Sequence, residues 1–285
     1  MGENDIFHLL SQKYFQFTAS EKRVADFIIS NGTRAQTMSI SELAEAAGVA
    51  EATISRFCRR LNFNGFSAFK LAIATSEASR SNFSNPLTGE VTHEDTIPSL
   101  AHKLAGASME AIQETETLIR PSAIQSAADI LLQADKVLCM GQGGSMLMAQ
   151  EAAHLFSTAF PGYFPVTDSH MQVIYASHLC ERDAILYFSY SGTTTDLMDV
   201  LRTAKDRKAP VILITRYRNS PGAAQANIVL ECGSRESPLQ LGSVPARVAQ
   251  LYLVDILFSE VCRRDLEGCR HRRAQVADAL SDKHL

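Results

Sequence analysis

Two loops rich in glycine and hydroxyl side chains each follow a short apolar run that is typical of a β-strand. The first is Gly141-Gln142-Gly143-Gly144-Ser145, and the second is Ser189-Tyr190-Ser191-Gly192-Thr193-Thr194-Thr195. Glycines let a backbone approach a ligand, and the N-terminus of a following helix offers unpaired N–H groups and a positive dipole end. We call residues 141–145 and 189–195 the cradle loops, and they predict an uncharged site for an anion. The candidate contacts are Gly143, Ser145, Ser189, Ser191, Gly192, Thr193 and Thr194.

The cradle loops differ from the common nucleotide-binding motifs. No Gly-Lys-Ser/Thr follows the first loop, and Met146 stands where a dinucleotide fingerprint requires a third small residue. We therefore expect no cofactor. A single glycine-rich turn would fit an ordinary tight turn equally well, but two such loops at the carboxyl ends of strands are typical of ligand sites in open α/β sheets.

A second candidate site lies near the N-terminus, where the residue spacing is that of a helix-turn-helix. Ala44 is small enough for a second helix to pack on the first, and Gly48 can adopt a left-handed turn conformation. The second helix, from about Ala50 to Leu61, would lie in the DNA major groove, although Ala50 replaces the Ser or Thr preferred as a cap. The apolar positions that close the core are Leu43, Val49, Ile54 and Phe57. The candidate base contacts are Glu51, Ala52, Thr53, Ser55 and Arg56.

This second helix and the segment after it carry a local positive charge in an acidic chain. The net charge is −4, yet residues 52–76 contain four basic residues and no acidic one. Because phosphates attract Arg and Lys regardless of sequence, we expect Arg59, Arg60 and Lys70 to contact the DNA backbone. Two helices joined by a glycine turn also occur in domains that do not bind DNA, but the basic stretch favours double-stranded DNA as a partner.

Residues from about 98 onward alternate between apolar runs and helical segments. The predicted strands are 136–140, Tyr163–Val166, Ala184–Ser189, Val211–Thr215 and Ile228–Glu231, and the predicted helices include Leu100–Ile119, 121–134 and about 243–264. The alternation predicts a doubly wound, mainly parallel α/β sheet in residues 98–285. Residues 1–78 predict an all-α domain, and residues 79–97, rich in Ser, Asn, Pro and Gly, predict a linker.

Composition narrows the class of protein further. Apolar residues make up 46% and charged residues 20% of the chain, as in globular proteins. No apolar run is long enough for a membrane span, and the N-terminus lacks the features of a secretion signal, so we expect a cytoplasmic protein without a membrane partner. The six cysteines are widely spaced, which favours free thiols over a zinc site, and no metal is expected.

The two halves together resemble the RpiR-type transcriptional regulators, in which a helix-turn-helix precedes a sugar isomerase (SIS) domain. The resemblance rests on residues 20–28, 41–44 and 52–70 and on residues 141–145, 190–194 and 246–251. Asn62 departs from the usual glycine, but Asn tolerates a left-handed conformation. The resemblance implies a flavodoxin-like SIS fold and dimeric SIS domains, and a homodimer or tetramer would suit a pseudo-palindromic operator. It also implies a phosphosugar pocket formed by Ser145, Ser189, Ser191 and Thr194.

SIS domains also occur in aldose–ketose isomerases, whose chemistry needs a carboxylate or histidine that moves a proton. The candidates are His170 and Glu236, which could instead contact a bound sugar without catalysing a reaction. The attached DNA-binding domain favours a sensor over an enzyme. We therefore expect a regulator of carbohydrate metabolism genes whose operator affinity responds to a phosphorylated sugar. An isomerase and a regulator with a non-sugar anionic effector are the alternatives.

Overall fold

The computed structural model describes residues 6–81, 93–233 and 243–281. The chain forms two compact units, and the division falls at Lys103. Residues 82–92, which make up most of the predicted linker, lie outside the described residues, so the domain boundaries stay a prediction. Within the described ranges, no helix is long and apolar enough to cross a membrane.

The first unit is a bundle of short helices, two of which begin with a reciprocal cap. The Thr18 hydroxyl accepts the N–H of Glu21 at 3.4 Å, and the Glu21 carboxylate accepts the N–H of Thr18 at 2.8 Å. Ser39 and Glu42 form the same arrangement, which satisfies N–H groups that a helix start leaves unpaired. The helices are α1 (Ile6–Lys13), α2 (Ala19–Ser30), α3 (Gly32–Ala35), α4 (Ile40–Ala46), α5 (Glu51–Arg60) and α6 (Phe66–Ser81).

Aromatic side chains fill the core of this unit around Phe57 of α5. Phe57 is fully buried and meets Phe17 and Phe69 edge-on, with ring centroids 5.0 and 5.8 Å apart. Phe63 packs against Phe69 in the same way at 5.3 Å. Edge-to-face pairs of this kind add to the free energy of apolar burial. The core therefore holds the inner face of α5 and leaves its opposite face to solvent.

The second unit alternates strands with helices, as the sequence predicts. Its strands are β1 (Lys136–Gly141), β2 (Tyr163–Pro165), β3 (Asp183–Phe188), β4 (Val211–Thr215) and β5 (Ile228–Glu231). Helix α7 (Ile97–Leu118) contains the division between the units. The helices that follow are α8 (Pro121–Gln133), α9 (Gly144–Ser157), α10 (Ser169–Ser177), α11 (Thr195–Asp206), α12 (Val244–Arg264) and α13 (Leu266–Ser281). Helix α13 was not predicted, because Cys269 is its one buried residue and it lacks an apolar face.

The five strands are all parallel and lie in the order β2-β1-β3-β4-β5. This order confirms the predicted doubly wound sheet and is the flavodoxin-like one. The chain moves from β1 to β2 on one side and then returns to β3 on the other, so the strand order reverses between β1 and β3. Ligands of such sheets bind outside the carboxyl ends of the strands at this reversal. Both cradle loops begin there.

The sheet is buried on both faces, which explains its apolar strands. Side chains of alternate strand residues join one of two cores. Val137 and Cys139 of β1 pack in the core that includes α8, α9 and α12, whereas Leu138 and Met140 pack in the core that includes α10 and α11. Strands that are covered on both faces have continuous apolar sequences, and the strands of the second unit show this pattern.

Candidate functional site

The turn between α4 and α5 has the geometry of a helix-turn-helix. Gly48 has φ +64°, and its N–H donates to the Glu45 carbonyl at 3.0 Å while the Val49 N–H donates to the Ala44 carbonyl at 2.9 Å. These two bonds end α4 in the pattern that a left-handed residue permits. Ala44 is buried, as the predicted close packing of the two helices requires. The sequence-based prediction of this turn is confirmed.

The outer face of α5 displays several of the predicted DNA contacts. Ala52, Arg56 and Arg59 are exposed at spacings that share one face of a helix. The Arg56 side chain folds along the helix, where its Nε donates to the Ala52 carbonyl at 3.2 Å. Ala50 occupies the N-cap without a side-chain hydrogen bond, so the first N–H groups of α5 lack a side-chain partner. Such a helix end can bind a phosphate oxygen.

The three other predicted base contacts of α5 are either half-buried or already hydrogen-bonded within the protein. Thr53 and Ser55 are half-buried at the edge of the exposed face. The Glu51 carboxylate is exposed but accepts a hydrogen bond from the Ser41 hydroxyl of α4. Glu51 therefore links the two helices of the motif, and a base contact from it would compete with that bond.

Arg60 and Lys70 differ from the exposed arginines of α5. Arg60 Nη1 lies 2.6 Å from Glu21 Oε2, and Arg60 Nη2 donates to the Gln16 carbonyl at 2.5 Å. Burial alone would raise the pKa of Glu21, but hydrogen bonds from the Thr18 N–H and from Arg60 outweigh it and lower that pKa. A phosphate contact from Arg60 would require breaking this ion pair. Lys70 is half-buried on α6, outside the helix that would enter the groove.

The cradle loops lie side by side at the carboxyl edge of the sheet. Gly141 of β1 pairs with Phe188 of β3, so the residues that follow each strand leave the sheet at the same level. A Cβ atom on Gly141 would lie 2.8 Å from the Ser145 carbonyl oxygen and 3.0 Å from that of Phe188. Glycine is therefore required here for the first cradle loop to pack closely against the end of β3.

The helices that follow the cradle loops both begin without a side-chain cap. Gly143 and Thr194 occupy the N-caps of α9 and α11. Gly143 has no side chain, and the Thr194 side chain accepts no N–H of the helix. The helices α2, α4, α10 and α12 are capped by Thr18, Ser39, Asp168 and Ser243. In α9 the N–H groups of Ser145 and Met146 donate to the carbonyls of Gln142 and Gly143 at 3.0 and 3.1 Å. The first N–H groups of α11 have no capping side chain and can serve a ligand, and both helix dipoles present their positive ends at this edge.

Hydrogen bonds hold the second cradle loop in shape. The Ser189 hydroxyl accepts the N–H of Gly192 at 3.1 Å, and the Ser191 hydroxyl accepts the N–H and hydroxyl of Thr193 at 3.3 and 3.0 Å. Gly192 has φ +64°, and its carbonyl accepts the N–H of Gly222 at 2.9 Å. The loop is therefore rigid before any ligand binds.

Thr194 carries a buried hydroxyl without a partner. Its Oγ1 atom is inaccessible to solvent, yet it makes no hydrogen bond with any described residue. Leaving a buried hydroxyl unpaired costs about 1–3 kcal/mol. Because Thr194 stands at the start of α11, next to the unpaired N–H groups, its hydroxyl is suited to bind the same anion.

The remaining predicted site residues are Ser145, His170 and Glu236. Ser145 lies in the first turn of α9, as predicted, and is half-buried. His170 is exposed on α10, whereas its neighbour Gln172 is fully buried and faces the first cradle loop. Glu236 lies outside the described residues. Gln172 is not predictable from the sequence, because no pattern marks a buried glutamine on a short helix.

Comparisons with known proteins match both halves of the chain. Residues 5–80 match the helix-turn-helix domain of the rpiR family, and residues 130–260 match the SIS domain. An uncharacterised HTH-type transcriptional regulator of Caldanaerobacter subterraneus is 33% identical over 99% of each chain. The regulator HexR of Escherichia coli is 29% identical over 93% of this chain and 91% of its own length.

Solved structures give the same fold. The NanR protein of Vibrio vulnificus, in complex with ManNAc-6P, has a TM-score of 0.84 at 22% identity, covering 98% of this chain and 99% of that one. The sugar isomerase domain of an RpiR transcription factor from Sphaerobacter thermophilus has a TM-score of 0.57 at 23% identity, covering 63% of this chain and 98% of that one. The chain therefore belongs to the rpiR family of HTH-type transcriptional regulators with a SIS domain.

Proposed function

We propose that this regulator binds a pseudo-palindromic operator through α5 and that a phosphorylated sugar in the cradle loops changes its operator affinity. The effector controls transcription without being converted, so the protein is a sensor and not an isomerase. Its targets are genes of carbohydrate metabolism, and it acts in the cytoplasm. The proposal assigns DNA binding to the first unit and ligand binding to the second.

The observation that carries the proposal is the pair of uncapped helix starts beside adjacent strands. The cradle loops contain no charged side chain, so phosphate would be held by N–H groups, hydroxyls and helix dipoles. The unpaired Thr194 hydroxyl adds a donor that folding alone does not explain. This combination fits an anion better than it fits a neutral ligand.

The sugar part of the effector is supported by likeness to a protein with the same fold. NanR, which is described in complex with ManNAc-6P, has the same fold over nearly its whole length. ManNAc-6P is therefore the first compound to test. A non-sugar anion remains the second candidate, because the cradle loops recognise phosphate and leave the rest of the ligand open.

The geometry favours a sensor over an isomerase. An isomerase must place a proton-transferring group against the sugar carbons. The described residues of the cradle loops are uncharged, and His170 is exposed on α10. A sensor needs only a difference in effector affinity between two states of the protein. We infer that a homodimer carries two copies of α5 and that the effector alters their spacing or mobility through residues 79–97.

The experiment that tests this proposal separates the two binding events. Genomic fragments selected by the purified protein supply the operator, and fluorescence anisotropy then measures operator affinity with and without ManNAc-6P. We expect Ser191→Ala to abolish the effector response and retain DNA binding. Arg56→Ala should weaken DNA binding about tenfold and retain effector binding. Operator affinity that no sugar phosphate changes would refute the proposed sensor.

Salt supplies an independent check on this division of roles. Operator affinity should fall steeply with salt, because binding to phosphates releases condensed counterions. Effector affinity should change little, because no charged side chain of the cradle loops pairs with the ligand. Equal salt dependence for both ligands would contradict the uncharged cradle.

A further inference from the structure

A fully buried glutamine on α10 joins the effector site to two other parts of the second unit. Gln172 is 0% exposed. Its Nε2 atom donates to the carbonyls of Gly141 at 3.0 Å and Val166 at 2.9 Å. Its Oε1 atom accepts from Gln142 Nε2 at 3.2 Å and from the Tyr187 hydroxyl at 3.4 Å. Gln172 thus bridges the first cradle loop, the segment after β2, and β3.

The amide of Gln172 is saturated, which sets it apart from other buried polar groups. A glutamine side chain offers two donors and one oxygen with two lone pairs, and all four have partners here. The amide orientation follows from chemistry, since the carbonyls of Gly141 and Val166 can only accept. By contrast, Gln250 of α12 is also buried, but its Oε1 atom has no partner among the described residues.

The bond to the Gly141 carbonyl determines how the first cradle loop is presented. In a trans peptide the C=O and N–H groups point in opposite directions. Holding the Gly141 carbonyl against Gln172 therefore turns the N–H of Gln142 away from Gln172. The side chain of Gln142 is held as well, by Gln172 and by contact with the Tyr187 hydroxyl. Satisfied buried networks of this kind make a structure rigid.

We propose that Gln172 is a positioning residue for the effector site, whose amide fixes the Gly141–Gln142 turn in the orientation that receives the ligand. This inference rests on the proposed function for its ligand, but the positioning of the turn can be measured without one. Gln172 does not touch the effector, and it acts through the backbone of the first cradle loop.

The test compares two glutamine variants in the full-length protein. Gln172→Met removes all four hydrogen bonds at similar volume, and Gln250→Met is the matched control, because that buried glutamine lies outside the network. Isothermal titration with ManNAc-6P and with inorganic phosphate measures affinity. Hydrogen exchange of the amides in residues 141–146, without ligand, measures the rigidity of the turn.

We expect Gln172→Met to weaken ManNAc-6P binding about tenfold or more and to speed exchange in residues 141–146, while Gln250→Met changes neither. Gln142 is half-buried in the turn. Gln142→Ala should weaken ManNAc-6P binding about threefold, and it keeps the proposal testable if Gln172→Met does not fold. Affinity within about twofold of wild type, with unchanged exchange in both network variants, would overturn the proposal. If the wild-type protein binds neither ManNAc-6P nor phosphate but Gln172→Met still speeds exchange in residues 141–146, the proposed function is refuted. The positioning role of Gln172 then stands.

Discussion

Substitution of Thr194 by valine should make the protein more stable and a poorer sensor. Valine has nearly the shape of threonine and removes the buried hydroxyl that has no described partner. The cost of leaving that hydroxyl unpaired is about 1–3 kcal/mol, and part of it returns when the hydroxyl is removed. A gain of about 1 kcal/mol corresponds to a rise of about 2–4 °C in the melting temperature of a domain of this size.

The effect on the effector should have the opposite sign. A hydrogen bond from a hydroxyl to a charged phosphate contributes about 1.5–3 kcal/mol, so its loss weakens binding roughly 10- to 150-fold. Thermal melting without ligand and isothermal titration with ManNAc-6P measure the two effects separately. The matched control is Thr195→Val, since Thr195 is exposed one residue further along, at the first position of α11.

Lost stability together with unchanged ligand affinity in Thr194→Val would contradict the role proposed for the Thr194 hydroxyl. If Thr194→Val destabilises the protein by more than about 1 kcal/mol and binds ManNAc-6P as wild type does, the hydroxyl has a structural role and no ligand. Loss of binding with the predicted gain in melting temperature would instead show that the native residue sacrifices stability for function, as residues in binding sites often do.

Three further predictions concern other parts of the molecule. Arg56→Ala should reduce operator affinity about tenfold in an anisotropy assay and leave the melting shift caused by ManNAc-6P unchanged. Glu21→Gln should lower stability at neutral pH, because the native pKa of Glu21 is lowered and its ionised form pairs with Arg60. The urea midpoints of Glu21→Gln and wild type should converge as pH falls below the ordinary value of 4.5 and through the lowered native pKa. Gly192→Ala should lower the free energy of unfolding by at least about 1–2 kcal/mol and abolish effector binding. The reason is that φ is +64° and the new Cβ would lie 2.6 Å from the Cβ of Ser220. Equal melting temperatures of variant and wild type would refute this prediction.

The architecture could be predicted from the sequence wherever local pattern determines it. Strands buried on both faces leave continuous apolar runs, and the five predicted strands match β1 to β5 within one or two residues. The turn at Gly48 fits its residue type, and the left-handed Asn62, with φ +66°, fits the family resemblance, which places a glycine there. The cradle loops were recognisable because glycine and hydroxyl residues follow two of these strands.

The rest depends on contacts between residues distant in sequence. Arg60 looks like a phosphate contact in a basic stretch, but its partner Glu21 is 39 residues away. Gln172 lies 31 residues from Gly141, and a lone glutamine between apolar residues has no periodic signature. The unpaired hydroxyl of Thr194 is a matter of burial, which its sequence position does not reveal. Long-range pairing therefore decides which polar residues serve the fold and which are left for ligands.

Thermal melting against a panel of sugar phosphates and their unphosphorylated parents tests the central claim most directly. A ligand that binds the folded protein alone must raise the melting temperature. We predict a rise with one phosphorylated sugar, with ManNAc-6P tested first, and none with the unphosphorylated parent sugar. The rise should be lost in Ser191→Ala. No shift with any sugar phosphate, or an equal shift with the unphosphorylated sugar, would contradict a phosphate-binding cradle at the reversal between β1 and β3.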